Sequence, residues 1–245
     1  YKSYKRALSV FFNWATRRRY CLENPTERLD PVGTSKQENV ILTLDETKRI
    51  LKAASIYNEG VMAPSIAILI FAGLRPSELN ALKASDIKND WIVVSGGKMA
   101  GKIKRRVPTP PVLKKWLEAF PFTGVPGSWY RRLSDIKTAA DPKNWVSDIF
   151  RHTSITYQIE RDDNIQSVAD RNGTSPKMIE LHYRDVLENP KDCDKFWKLT
   201  PAEIKKVKIA GKLNEIKHVE WPTDAELKKL VWEKPLSHLA KDLSC

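Results

Sequence analysis

Cysteine is scarce in this 245-residue chain, and the patterns that depend on it are missing. The three cysteines, Cys21, Cys193 and Cys245, are widely scattered and form no C-x-x-C pair. The sequence therefore indicates neither a disulfide framework nor a zinc site. This use of cysteine fits a reducing compartment, and we expect a cytoplasmic protein.

Long hydrophobic runs and nucleotide-binding loops are lacking as well. The longest apolar run, residues 61–74, is too short to span a bilayer and is interrupted by Pro64 and Ser65. The sequence contains no glycine-rich phosphate loop and no carboxylate cluster with metal-ligand spacing. We therefore predict no cofactor, no metal site and no membrane partner.

Positive charge, by contrast, is abundant. The chain has 42 Lys and Arg residues against 30 Asp and Glu, which gives a net charge of +12 at pH 7. This balance favours a polyanionic partner, and nucleic acid is the natural one. Hydrophobic residues make up 41% of the chain, enough to fill the core of one large or two small domains.

Two stretches carry the candidate site residues. The first, FAGLRPSEL, surrounds Arg75, and the second covers residues 148–184. Two arginines can grip the non-bridging oxygens of a phosphodiester and stabilise the extra charge of its transition state. A tyrosine hydroxyl can attack phosphorus and conserve the bond energy in a covalent phosphotyrosine. The chemically active side chains are, in chain order, Arg75, Glu78, Asp148, Arg151, His152, Thr174 and Tyr183.

These stretches resemble the catalytic domain of the tyrosine recombinases, the phage integrase family. That family has a G-L-R-x-x-E-L helix start, an H-x-x-R-H segment, a G-H-S turn and a nucleophilic tyrosine nine residues after the histidine of the turn. Residues 73–79 match the first motif, and residues 151–153 match most of the second. Thr174 stands nine residues before Tyr183, which matches the spacing of turn and tyrosine. Asp148 and Thr174 depart from the pattern, because the family has histidine at both positions.

The resemblance implies an α+β, mainly α catalytic domain with a small antiparallel β-sheet. It also implies a site-specific DNA recombinase, an integrase of a mobile element, that cleaves and rejoins DNA through a covalent 3′-phosphotyrosine. Tyr183 would be the nucleophile, and Arg75 and Arg151 the phosphate clamp. Glu78 would support Arg75, and the Thr174 hydroxyl would donate a hydrogen bond to a phosphate oxygen. The expected partner is double-stranded DNA, bound by a homo-oligomer, a tetramer, of a nucleoid-associated protein.

The departures from the family pattern suggest roles for neighbouring residues. An ionised Asp148 cannot donate a hydrogen bond to phosphate, so we expect it to orient Arg151. His152 and His182 lie close in sequence to Arg151 and Tyr183. They are the candidates for the proton transfer that the family assigns to a histidine.

A basic β-hairpin is predicted between the two stretches. The segment WIVVSGGKMAGKIKRRVPTPP begins with β-branched and aromatic residues, turns at glycines and returns as a strand that ends at proline. The resemblance places the catalytic lysine, the general acid, on this hairpin. Counting from the first strand gives Lys98, which we prefer, and counting back from the second strand gives Lys102. The basic side chains expected to contact DNA are Lys102, Lys104, Arg105 and Arg106.

The sequence predicts three parts. Residues 1–38 contain an amphipathic helical pattern and a linker, and they resemble the end of the DNA-binding domain that precedes the catalytic domain in this family. An ordinary leading helix is the other interpretation. Residues 39–200 form the catalytic domain, and a capping box at residues 43–46 predicts its first helix. Residues 201–245 form a helical tail whose last pattern resembles the start of a truncated helix-turn-helix.

Two questions stay open from the sequence. Phe196 and Trp197 could anchor a C-terminal helix on a neighbouring protomer, as in the family, or they could cover the core of their own chain. The recombinase interpretation also has two alternatives. One is a catalytically weakened relative that only binds DNA, motivated by Asp148 and Thr174. The other is an enzyme like the type IB topoisomerases, which share the chemistry but act as monomers.

Overall fold

The computed structural model divides the chain into two units, residues 1–39 and residues 40–245. The first unit contains helix α1, Lys2–Arg17, and a 3-10 turn, Pro25–Arg28. Asn24 begins this turn, since its side chain accepts a hydrogen bond from the backbone amide of Thr26 at 2.9 Å. The residues that the structure describes are 2–30, 40–95, 104–162, 164–183, 187 and 189–209. The assignment of residues 1–38 to the remnant of a DNA-binding domain stays a prediction.

The second unit is mainly helical and has one small sheet. Its described helices are α2, Leu44–Ile56; α3, Ala63–Ala72; α4, Pro76–Ala81; α5, Pro111–Ala119; α6, Trp129–Ala140; α7, Ile149–Asp162; α8, Ile165–Asn172; α9, Pro176–His182; and α10, Asp192–Phe196. Strands β1, Trp91–Ser95, and β2, Lys104–Pro108, pair antiparallel. These are the two strands of the predicted hairpin. Lys98 and Lys102, the two candidates for the general acid, lie outside the described residues.

Helix α2 begins where the capping box predicts. The Thr43 hydroxyl accepts a hydrogen bond from the backbone amide of Glu46 at 3.2 Å. The Glu46 carboxylate accepts one in return from the backbone amide of Thr43 at 2.8 Å. Two backbone donors that the first helical turn leaves unpaired are satisfied in this way, so local sequence alone sets the helix start.

Helix α3 is the centre of the core, because all ten of its residues are buried. It packs against α5 and α7, while α2 packs against α6. Gly73 ends α3 with a φ of 67°, in the left-handed region that favours glycine. Arg75 follows two residues later, so the most buried helix of the unit delivers it. None of the helices within the described ranges could span a membrane.

Helices α8 and α9 meet at a tight turn. Gly173 takes a φ of 57°, and its amide donates a hydrogen bond to the carbonyl of Asp170 at 3.2 Å. The Thr174 amide donates to the carbonyl of Ala169 at 3.0 Å, which closes the end of α8. The Ser175 side chain then accepts from the amide of Met178 and starts α9. Both boundaries follow from the Asn-Gly and Ser-Pro pairs in the sequence.

Phe196 and Trp197 belong to the core of their own chain. The Phe196 ring stacks on Tyr157 with a centroid distance of 3.9 Å and an interplanar angle of 5°. The Trp197 indole donates a hydrogen bond to the carbonyl of Tyr157 at 3.3 Å. Of the two interpretations left open by the sequence, the structure supports the one within the chain. In the predicted tail, a 3-10 turn spans Glu203–Lys206, and residues 210–245 lie outside the described residues.

Candidate active site

Arg151 is a buried arginine that connects the ends of two helices. It lies in the first turn of α7 and is 6% exposed. Its Nη1 donates to the carbonyl of Gly73 at 2.7 Å, and its Nη2 donates to the carbonyl of Asn172 at 2.6 Å. These carbonyls lie at the C-terminal ends of α3 and α8, where the helix dipole attracts a cation. Burial lowers the pKa of Arg151 to about 10, and the nearby charge of Arg75 acts in the same direction, so the guanidinium stays charged at neutral pH.

Arg75 approaches the same place from α4 but is more accessible. Its Nη2 donates to the carbonyl of Gly173 at 2.8 Å, and its Nη1 donates to Glu78 Oε1 at 3.0 Å. The Arg75 backbone amide donates to the second Glu78 oxygen at 2.9 Å. The Arg75 side chain is 32% exposed, so part of its guanidinium remains available to a substrate.

Glu78 is held by a further arginine, Arg105 of β2. Arg105 Nη1 and Nη2 donate to the two carboxylate oxygens of Glu78 at 2.7 and 2.8 Å. Burial raises the pKa of Glu78, but the hydrogen bond from Arg105 and the backbone hydrogen bond and charge of Arg75 outweigh it and bring the pKa to about 2. Glu78 is therefore an anion at neutral pH, although only 1% of its side chain is exposed.

Carbonyl groups at the C-terminal end of α8 accept hydrogen bonds from all three arginines, Arg75, Arg105 and Arg151. The Arg171 carbonyl accepts a hydrogen bond from Arg105 Nε at 2.9 Å. The next two carbonyls, of Asn172 and Gly173, accept from Arg151 and Arg75 as described. The last carbonyls of a helix have no partner within the helix and carry partial negative charge, so they suit guanidinium donors. This helix end fixes the positions of three like charges that would otherwise repel one another.

Tyr183 lies directly after α9, half-buried against the neighbouring helix α7. Its backbone amide donates to the carbonyl of Ile179 at 2.8 Å, so the helical hydrogen bonding continues to this residue. Burial raises the pKa of the Tyr183 phenol, while the positive charges of Arg151 and Arg75 oppose that rise. The phenol is thus close enough to both arginines to respond to their charge.

His152 accompanies Tyr183. The two rings stack with a centroid distance of 5.3 Å and an interplanar angle of 29°. His152 Nδ1 is buried and finds no hydrogen-bond partner among the described residues. Burial lowers the pKa of His152, and the charge of Asp148 opposes this only in part, so the imidazole is neutral at pH 7. His182 lies on another side of Tyr183, with the rings edge to face at 6.4 Å.

A cavity of about 610 Å³ adjoins the arginines, and Arg75, Asp148 and Arg151 line one side of it. Asp148 is exposed and has a φ of 61°, directly before α7. The carbonyls of Gly73 and Asn172, rather than Asp148, orient the guanidinium of Arg151. The remaining walls are largely apolar and include Trp129, Trp145 and Leu133. Across the described part of the chain, no group of three His, Cys, Asp or Glu side chains could hold a metal ion.

Known proteins share this arrangement of sequence and fold. No family model matches the chain. It is 31% identical over 202 residues to a tyrosine recombinase of Thermosipho africanus (strain TCF52B), over 74% of this chain and 71% of that relative. This chain belongs to the tyrosine recombinase family. The predicted family and enzyme class are thereby confirmed.

Solved structures agree with the fold of a tyrosine recombinase. A lambda integrase tetramer bound to a Holliday junction aligns with a TM-score of 0.60 and 16% identity, over 76% of this chain and 59% of that chain. The Tn1549 transposon integrase in complex with circular intermediate DNA aligns with a TM-score of 0.56 and 18% identity, over 79% and 77%. At these identities the likeness concerns the fold. The predicted mainly helical domain with a small antiparallel sheet is confirmed.

Arg105 was predicted to contact DNA, but its guanidinium is turned toward Glu78 and the Arg171 carbonyl. Its side chain is only 14% exposed. A signal for this was present in the sequence of β2, because alternate residues of a strand share a face. Arg105 stands two residues before the buried Val107 and therefore lies on the inner side of the hairpin. Its role in DNA binding stays a prediction.

Lys104 and Arg106 lie on the outer face of the same strand, and both are exposed. The Arg106 guanidinium packs over the Trp91 ring of β1 at 5.0 Å from the centroid. Thr174 is partly exposed in the turn between α8 and α9, next to the carbonyl that Arg75 contacts. The functional roles of these residues in the tyrosine recombinase stay predictions.

Proposed function

We propose that this chain is a site-specific DNA recombinase that cuts and rejoins strands through a covalent 3′-phosphotyrosine. One observation carries the proposal: Arg75 and Arg151 meet at one end of α8, and both are close enough to Tyr183 to affect its pKa. The carbonyls of Asn172 and Gly173 bring the two guanidiniums together. Two adjacent cations and a phenol suit attack on a phosphodiester.

The two arginines would act on the phosphate unequally. Arg151 is deeply buried and rigidly held, so it provides a fixed charge. Arg75 is more exposed and can direct N–H groups at a non-bridging oxygen. Fixed donors aimed at charge that develops in the transition state lower its free energy more than that of the ground state.

Tyr183 would attack phosphorus through its phenolic oxygen. The P–O bond to the 5′ oxygen breaks, and the strand end stays attached to the tyrosine through its 3′ phosphate. The phenol must lose its proton as it attacks; burial raises its pKa, and the adjacent charges of Arg151 and Arg75 offset part of that rise. His152 would accept that proton, since its imidazole stacks on Tyr183 and its Nδ1 has no hydrogen-bond partner among the described residues.

The leaving 5′ oxygen needs a proton, and a lysine of the hairpin would supply it. We propose Lys98 for this role and keep Lys102 as its alternative. Both lie in the chain segment that joins β1 to β2, beyond the described residues. Arg105, in the described part of β2, is anchored to the active site by Glu78 and the Arg171 carbonyl.

The proposed partner is double-stranded DNA, and the proposed active form is a homo-tetramer on two duplexes. The net charge of +12 supports a polyanionic ligand. The exposed Lys104 and Arg106 would contact phosphates from the outer face of the hairpin, each adding about one unit to the salt dependence of binding. Exchange of strands between two sites requires two duplexes, which is the reason for an assembly rather than a monomer.

Covalent trapping tests the proposal. On a library of nicked duplexes the freed strand end diffuses away, so the phosphotyrosine cannot be reversed and accumulates as a detergent-resistant adduct. We expect an adduct with the parent and none with Tyr183→Phe. Tyr130→Phe is the matched control, because Tyr130 is 81% exposed and lines the neighbouring cavity, and it should behave like the parent.

The other outcomes identify the alternatives. DNA binding without any adduct would overturn the proposal and indicate a relative that only binds DNA. An adduct together with relaxation of supercoiled plasmid by a monomer would indicate a topoisomerase-like activity. Sequencing the trapped strands would reveal the target site.

A further inference from the structure

The Arg105 side chain makes several contacts with the active site that binding DNA would not require. Its Nη1 and Nη2 donate to Glu78 Oε1 and Oε2 at 2.7 and 2.8 Å, and its Nε donates to the Arg171 carbonyl at 2.9 Å. Its guanidinium also packs on the turn before Thr174, since a Cβ added at Gly173 would lie 3.2 Å from Nη1. A bidentate ion pair, together with the hydrogen bond to the Arg171 carbonyl, holds Arg105 and Glu78 in fixed positions.

The charge balance of the site depends on Arg105. Glu78 is the carboxylate that contacts Arg75, and a carboxylate paired with Arg75 alone would cancel the charge that a phosphate needs. Instead Glu78 makes two short bonds to Arg105 and a single side-chain bond to Arg75 at 3.0 Å. Three arginines and one glutamate leave this cluster with two positive charges. The pair formed by Arg75 and Arg151 therefore keeps its attraction for an anion.

We propose that Arg105 is a positioning residue: it binds Glu78 so that Glu78 can hold Arg75 in place without neutralising it. This inference rests on the proposed function, because it takes the positive charge of Arg75 and Arg151 that remains unneutralised to bind a phosphodiester. Loss of Arg105 would leave Glu78 paired with Arg75 alone and lower the net charge of the cluster by one. Loss of Glu78 as well would restore that charge.

The test compares four variants in single-turnover formation of the covalent adduct: Arg105→Gln, Glu78→Gln, the double variant and Arg131→Gln. Arg131→Gln is the matched control, since it removes the same charge from an exposed position on α6. We expect Arg105→Gln to slow adduct formation about 30-fold at saturating DNA, and Arg131→Gln less than about threefold. The double variant should be at least about tenfold faster than Arg105→Gln, because it regains the net charge of the parent.

Recovery of the rate in the double variant distinguishes a positioning role of Arg105 from a purely structural one. A residue that only stabilised the fold would give a double variant as slow as the slower single variant, or slower. Equal rates for Arg105→Gln and Arg131→Gln, or no recovery in the double variant, would overturn the inference. Should Arg105→Gln fail to fold, Arg105→Lys replaces it: the charge remains but the bidentate geometry is lost, and we expect an intermediate rate.

A second measurement does not depend on DNA cleavage. Inorganic phosphate is titrated into each variant while the Nε–H signals of arginine are followed by NMR. Arg105→Gln should weaken phosphate binding about tenfold relative to Arg131→Gln, and the double variant should restore it. If the parent forms no adduct but this pattern appears, the proposed function fails and the role of Arg105 stands. Equal phosphate affinities in all four variants would refute that role.

Discussion

The imidazole of His152 stacks on the phenol ring of Tyr183, 5.3 Å from centroid to centroid. The contact joins the first turn of α7 to the residue that follows α9. Buried polar atoms normally have hydrogen-bond partners, and Nδ1 of His152 has none among the described residues. The proton transfer that we propose for His152 would use this unpartnered nitrogen.

Substitution of His152 by phenylalanine tests this proton transfer. His152→Phe keeps an aromatic ring against Tyr183 but removes both nitrogens. We expect adduct formation at pH 7 to fall about 100-fold, the usual contribution of a general base. The defect should shrink as pH rises, because hydroxide then removes the phenolic proton directly. Rates measured from pH 6 to 10 on trapped duplexes provide the check.

The control for His152 is His182→Phe, which changes the other imidazole close to Tyr183. It should leave the pH profile unchanged. A His152→Phe enzyme with the rate and pH profile of the parent would show that the stacked ring serves only to pack the tyrosine.

Substitution of Gly73 by alanine should damage the fold and the clamp together. Gly73 has a φ of 67°, and an added Cβ would lie 2.5 Å from Asn172 Oδ1 and 3.0 Å from Ser154 Oγ. We expect a loss of roughly 2 to 4 kcal/mol in the free energy of unfolding, measured in urea, from backbone strain and steric overlap. Because Arg151 binds the Gly73 carbonyl, activity should fall even where the variant is folded.

Gly127→Ala is the control for that experiment, since an added Cβ there meets nothing within 4 Å. Its unfolding free energy should stay within about 0.5 kcal/mol of the parent. Similar stability for the two alanine variants would contradict the steric argument.

Local features of this fold could be predicted from the sequence because their causes lie a few residues apart. The capping box at Thr43 and the turn at Gly173 are examples, and so is the buried helix that delivers Arg75. The motifs also predicted side chains that the fold brings near one another, namely Arg75, Arg151 and Tyr183; their catalytic roles stay predictions. These signals depend on residue types at fixed spacing, which a sequence displays directly.

The contacts that assemble the site could not be predicted in this way. Arg151 and Arg75 are held by carbonyls of residues 172 and 173, and a backbone carbonyl has no signature in the sequence. The pair of Arg105 and Glu78 joins residues 27 positions apart, through the packing of β1 beside α4 and of β2 beside α8. The alternation of β2 indicated that Arg105 faces inward, but only the fold determines that Glu78 meets it.

The depressed pKa of Glu78 predicts how stability depends on pH. A carboxyl that is more acidic in the folded state than in the unfolded state stabilises the fold above its unfolded pKa, and this stabilisation is lost as pH falls through the folded value. For Glu78 the ordinary value is 4.5 and the folded value is about 2. Its contribution at neutral pH is on the order of 3 kcal/mol, since each pKa unit corresponds to about 1.4 kcal/mol.

The measurement is the urea unfolding free energy of the parent and of Glu78→Gln from pH 3 to 7. The charged side chains that face Glu78 are Arg75 and Arg105, and they are the same in both proteins, so the difference between the two proteins reports the carboxyl itself. The parent should exceed Glu78→Gln by a constant margin from pH 7 to about 5, and the margin should narrow toward pH 3 as the carboxyl takes up a proton in the unfolded chain. Glu118→Gln, on the exposed face of α5, should show no such convergence. A margin that does not change with pH would mean that Glu78 stabilises the site by its shape and neutral hydrogen bonds rather than by its charge.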